Sequence, residues 1–236
     1  MNKKKIFTLA LAVCLIAILS LSSLAWFADS DEVVNNFYVG GEGDDPDAIF
    51  NLDVYESIDV DGDGKIDHTI GWDGDITEDG EGVWNYENVV PGDLLWKKVY
   101  AHNKGLYDQW VRFQVTIDNA ADWASMEEKY DFKLYELLLD TKDTKLVDSA
   151  DWTFAVDETV LDEEADTITY VFYYNDVLAA DTWIYLFHYV QIPEAFDQYD
   201  MAEFADGLFT MTVVGEAVQV DNVGAENAIE AFAIVG

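Results

Sequence analysis

Read along the chain, apolar and polar residues alternate with a period of two far more often than they recur at helical spacing. Seven stretches carry this pattern with β-branched and aromatic residues and are expected as strands: 49–55, 94–103, 110–118, 132–139, 167–174, 182–192 and 208–220. Turn signals separate them, notably Pro91-Gly92-Asp93 and Asn103-Lys104-Gly105. Two stretches, 120–129 and 194–205, read as short helices on connections, the second just past Pro193. Seven or more strands without an internal repeat or a Pro- or Ser-rich linker predict a mainly β protein. We expect a single jelly-roll-like antiparallel β-sandwich with short connecting helices, over about residues 49–236. An acidic insertion at about 56–88 interrupts it.

The first 25 residues follow another logic. Lys3, Lys4 and Lys5 precede an apolar run from Ile6 to about Leu21, and Ser23 and Ala25 are small residues placed for a cut before Trp26. The run is shorter than the roughly 20 apolar residues of a membrane span, so a cleaved export signal is expected rather than a stable anchor. Cys14 is the single cysteine and would leave with the signal, so the exported chain is expected to fold without disulfides.

Charge narrows the partners. Twelve Lys and Arg against 48 Asp and Glu give a formal net charge of −36, which argues against nucleic acid and anionic membranes and in favour of cations. Self-repulsion of this size would also make any assembly depend on ionic conditions.

The insertion contains the sharpest local motif, DVDGDGKID at 59–67. Asp59, Asp61 and Asp63 at alternate positions, Gly64 for the tight turn, the Lys65 carbonyl and Asp67 match the first nine positions of an EF-hand-type calcium loop. Position twelve is Ile70 rather than Glu, and the neighbours read as strand and Gly-rich loop. The expected cofactor is therefore calcium, held in a short extracellular-type calcium turn. A solvated acidic loop is the plain reading beside it.

No motif suggests catalysis. His68, His102 and His188 are scattered, and the chain has neither HExxH nor GxSxG. Gly40-Gly41-Glu42-Gly43 lacks the Lys and helix of a phosphate cradle. Trp96, Trp110 and Trp183, at strand spacing, read as core or cross-strand residues before sugar-stacking ones.

The segment SLAWFADSDEVVNNFYVG, then VVPGDLLWKKVYAHNKGLYDQWVRFQV, YVFYYNDVLAADTWIYLFHYVQIP and LFTMTVVGEAVQVDNV occur in that order. Together they resemble the TasA and camelysin-like family, secreted proteins whose signal is cut by a SipW-type signal peptidase. VLAADT lacks the family's Pro-Gly in that turn, and the calcium-like insertion has no counterpart in the resemblance. It implies a jelly-roll-like sandwich, secretion to the matrix or cell surface, and polymerisation with copies of itself into biofilm-matrix fibres. Camelysin-like proteins are also described as peptidases, which leaves a metalloprotease reading open, as is a calcium-dependent module binding polysaccharide or a surface partner.

Assembly has a physical candidate in residues 26–48. Trp26, Phe27, Val33, Val34, Phe37 and Tyr38 form an apolar segment tethered to the sandwich through a Gly-rich and acidic stretch. Such a segment can complete a neighbour's sheet, giving a head-to-tail contact that propagates. It can equally close its own sheet as an edge strand.

Overall fold

A computed structural model describes residues 28–34, 51–59, 65–70, 86, 89–201, 209–221 and 223–235, with backbone alone for 28–34. Among the described residues, twelve strands form two antiparallel sheets that face each other across one core.

The first sheet contains β1 (Ala28–Val34), β5 (Gln109–Asp118), β8 (Trp152–Phe154), β9 (Val160–Asp162), β10 (Thr167–Tyr174) and β12 (Met211–Gln219). Its order is β1-β12-β5-β10, and β8 and β9 share the far side of β10. The second contains β2 (Leu52–Ile58), β3 (His68–Ile70), β4 (Leu94–Asn103), β6 (Leu138–Thr141), β7 (Thr144–Lys145) and β11 (Trp183–Gln191), in the order β3-β2-β4-β11-β6-β7. From β4 onward the chain crosses to the other sheet at each long connection, as a jelly-roll-like winding requires.

Alternation in the sequence becomes alternation in burial. Along β4, Lys97, Val99, Ala101 and Asn103 point inward, and Trp96, Lys98, Tyr100 and His102 point outward. β5 and β12 do the same, and their inward residues Phe113, Val115, Ile117, Met211 and Val213 are fully enclosed. At Gly215 of β12 a Cβ would stand 2.5 Å from Cγ2 of Val54 on the facing sheet and 3.0 Å from Cε1 of Phe113 on the neighbouring strand. Glycine is needed there for space. At Gly92 it is needed for conformation: φ is +91° in the turn that Asp93 N closes by donating to Val90 O at 3.1 Å.

Helices fill the ends. α1 (Ala120–Tyr130) inserts Trp123 among Phe132, Phe196 and Phe209, with ring centroids 5.7–6.2 Å apart. Asp166, from the turn before β10, satisfies the first helical N–H groups: Ala120 N donates to its carbonyl and Ala121 N to its side chain, at 3.1 and 2.9 Å. α2 is the single turn Gln198–Met201, inside the stretch expected as helix. α3 (Ala228–Val235) has no counterpart in the expectation. It covers the outer face of the first sheet with Ala228, Ala231 and Phe232 against Trp110, Tyr173 and Val218.

The stretch expected as a strand at 132–139 differs. Leu134–Leu137 is a 3-10 turn, and the strand begins only at Leu138. Leu134, Leu137, Leu138 and Leu139 are all buried while Tyr135 and Glu136 stay partly exposed, and a turn of three residues per rotation brings Leu134 and Leu137 to the same side.

Candidate functional site

The acidic motif forms the loop of a β-hairpin. β2 extends through Glu56, Ser57 and Ile58, and β3 returns antiparallel to it with Ile58 opposite His68. Asp67 N donates to Ile58 O at 2.8 Å, closing the neck. The first and ninth positions of the motif, Asp59 and Asp67, therefore flank one hydrogen-bonded closure. Asp59 is buried, whereas Lys65 and Asp67 are exposed. Asp61 and Asp63 lie outside the described residues, as does the side chain of His68. Among the described residues no group of three or more His, Cys, Asp or Glu is placed to hold a metal ion. The motif's donors, four carboxylates and a main-chain carbonyl, are the hard oxygen ligands that calcium takes.

Beneath the neck lies a charged cluster inside the sandwich. Glu56 and Lys97, 1% and 3% exposed, point inward from adjacent strands and form an ion pair. Burial pulls the Lys97 ammonium below its ordinary range, and Glu56 opposes that pull. Tyr86 donates its hydroxyl to Trp96 O at 2.8 Å. Its pKa is driven up, first by burial and then by the negative charges of Glu56 and Asp59. The neck of the hairpin thus stands beside a polar cluster held by paired charge and a hydrogen bond.

Of the expected assembly segment, Trp26, Phe27, Phe37 and Tyr38 lie outside the described residues. Val33 and Val34 fall in β1, opposite Val213 and Thr212 of β12. The register runs unbroken from Ala28 opposite Val218 to Val34 opposite Thr212. β1 is an edge strand of its own sheet in this monomer, and it also runs alongside β2 where the two sheets meet.

A third surface is not marked by any motif. The outward residues of β2, β4 and β11 stand in register, so that Tyr55, Tyr100 and Tyr185 form one row and Asp53, His102 and Trp183 the next. His102 stacks on Trp183 at 3.9 Å between centroids and meets Asp181 Oδ1 through Nε2 at 3.1 Å. His188 sits beside Tyr185, its Nδ1 2.6 Å from Asp140 O, and burial holds its pKa below the usual value. The cross-strand reading of Trp183 is realised here. The row is hard to see in the sequence because many outward positions of β4 and β11 are aromatic rather than polar, as at Trp96, Tyr100, Trp183 and Tyr185. Its signal is the recurrence of Trp, Tyr and His at every second position.

No protein-family model matches the chain, and no curated protein or solved structure matches it.

Proposed function

We propose that the chain is a secreted structural subunit of extracellular fibres, of a biofilm matrix or cell surface, rather than an enzyme. In this reading a SipW-type signal peptidase releases the chain at Trp26. Each copy then donates residues 26–34 to the next, extending head to tail as a homopolymer. The observation that carries the reading is the position of β1: an N-terminal edge strand with an unbroken seven-residue register on β12. Residues 35–51 separate it from β2. A connection of that length reaches on the order of 60 Å when extended, enough to place the strand on another copy's β12 in the same register. Exchange of an identical element costs little, because β1 pairs with a neighbour's β12 through the same hydrogen bonds and side chains as with its own. The ordered resemblance to the TasA and camelysin-like segments supports the same reading.

Calcium has a defined part in it. Bound by Asp59, Asp61, Asp63, Asp67 and the Lys65 carbonyl, it would stiffen the hairpin loop and offset part of a charge that otherwise opposes contact between subunits. Negative-stain electron microscopy of the chain from Trp26, with calcium and with EDTA, beside a chain lacking residues 26–39, tests the proposal. Fibres that require the N-terminal segment are expected. Fibres formed equally well without it, or dispersed monomers in every condition, would contradict self-sufficient strand donation.

A further inference from the structure

The outer face of the second sheet carries cationic side chains in a strongly acidic chain. Lys98 Nζ stands 4.2 Å from the Tyr185 ring centroid, and Lys142, in the β6–β7 turn, 5.6 Å from that of Tyr189. Lys97, Lys104, Arg112, Lys129, Lys133 and Lys145 each stand against a carboxylate. Lys98 and Lys142 meet none among the described residues, in a chain with 48 acidic side chains. Three acids near this face, Asp53, Asp181 and Asp140, are engaged by Lys104, by His102, and by Ser149 with His188. Trp183 and Tyr185 are 39% and 41% exposed, so a cationic and aromatic surface faces solvent.

The far edge of the first sheet is its complement. β9 pairs with β10 on one side only, and Val160 and Leu161 are 58% and 56% exposed. Asp157, Glu163 and Glu164 surround them, exposed and without a basic partner among the described residues. The edge is therefore aliphatic and anionic, with strand backbone left to pair.

We propose that these two surfaces bind each other between copies: the Val160–Leu161 edge of one molecule docks on the tyrosine and lysine face of the next. Strongly acidic copies repel one another, and that repulsion is relieved locally at Lys98 and Lys142, which meet no carboxylate among the described residues. Exposed ion pairs contribute little each. Burial of Trp183 and Tyr185 against Val160 and Leu161 carries the affinity, and the charges set orientation and exclude other contacts. The two surfaces differ, so the contact is heterologous and each copy keeps one free surface of each kind for a further neighbour. It uses neither β1 nor β12 and runs beside strand donation rather than through it.

Carbodiimide cross-linking of a mixture of ¹⁴N- and ¹⁵N-labelled chains at low ionic strength tests it, with mass spectrometry of the joined peptides. Mixed-isotope links from Lys98 or Lys142 to Asp157, Glu163 or Glu164 are expected. Reversal of one side, Lys98→Glu with Lys142→Glu, should lower the yield about tenfold or more. Reversal of the other, Asp157→Lys with Glu163→Lys and Glu164→Lys, should do the same, and mixing the two variants should restore it. All these positions are exposed or at a strand's outer face, and circular dichroism checks that the variants stay folded. A Val33→Pro chain, which cannot donate β1, should keep the cross-links, so the two contacts fail separately. Links that map elsewhere, or reversals without effect, would overturn the proposal. So would a lysine variant that loses only retention on an acidic polysaccharide, which would assign the face to a glycan.

Discussion

Glu56 and Lys97 meet inside the sandwich, one on β2 and one on β4, directly below the neck of the acidic hairpin loop. Both occupy positions that face the core, and both are almost fully enclosed. Such a pair is expensive to break and cheap to replace, because removing one partner strands the other's charge in a dry interior. Lys97→Met should cost about 3–5 kcal/mol in urea unfolding. The double variant Glu56→Leu with Lys97→Met should recover most of that loss, and if it proved as unstable as the single change, the pair would be serving more than mutual neutralisation.

Gly215 offers a steric test of how the sheets close. An added Cβ meets Val54 and Phe113 at 2.5 and 3.0 Å, and neither belongs to a flexible chain end. Gly215→Ala should destabilise by about 1–3 kcal/mol, and Val54→Ala in the same chain should return part of it by making room. Thermal melts of the three variants measure this directly.

The fold was legible where one face of a strand is apolar and the next residue is not. Leu94–Asn103 and Thr167–Tyr174 match their expected spans residue for residue. Legibility failed where context decides. β8 and β9 have three residues each and exist because β10 offers them a ladder. From Leu134 to Leu139 the buried residues are Leu134, Leu137, Leu138 and Leu139, with Glu136 between them, so the turn leaves no strand period. α3 does carry a start signal in its side chains: Glu230 N donates to Asn227 Oδ1, and Glu226 N to Glu230 Oε2, both at 3.0 Å. That reciprocal arrangement is close to a capping box. Of the candidate sites, DVDGDGKID was visible as a motif, but its placement at a hairpin neck over a buried ion pair depends on β4, about forty residues away in the chain.

Alkaline pH should loosen the molecule through its tyrosines. Burial pushes the Tyr55 hydroxyl from 10.0 up to about 12, and Tyr86 is raised too, by burial and then by Glu56 and Asp59. A folded pKa above the unfolded one stabilises the native state fully below pH 10 and is lost as pH rises through about 12. Absorbance at 295 nm should therefore show a late-titrating class of tyrosines whose ionisation coincides with loss of near-ultraviolet dichroism. Ionisation of every tyrosine near pH 10 with the fold intact would contradict this. At the acid end the sign is opposite. His188 is held below 6.5 by burial, so its contribution disappears as pH falls from 6.5 through the lowered folded value.

Calcium should raise the melting temperature if the hairpin loop binds it. A ligand at a hundred times its dissociation constant adds about 2.7 kcal/mol. Asp61→Asn with Asp63→Asn should abolish the shift while leaving the melt in EDTA unchanged. A calcium effect that survives both substitutions would move the site elsewhere.

Strand donation is tested most directly by cysteines placed across the β1–β12 ladder. Cys14 is the single cysteine, so a chain started at Trp26 has none of its own. Glu32 and Val214 are register partners, and such Cα pairs lie about 4.5–5.5 Å apart, within disulfide range. In a chain carrying Glu32→Cys and Val214→Cys, oxidised monomers should close the bond within one molecule. Oxidised fibres should give a ladder of covalent multimers on a non-reducing gel. Fibres that form and yet yield only intramolecular disulfides would show that β1 stays on its own β12, and strand donation would be excluded as the joint.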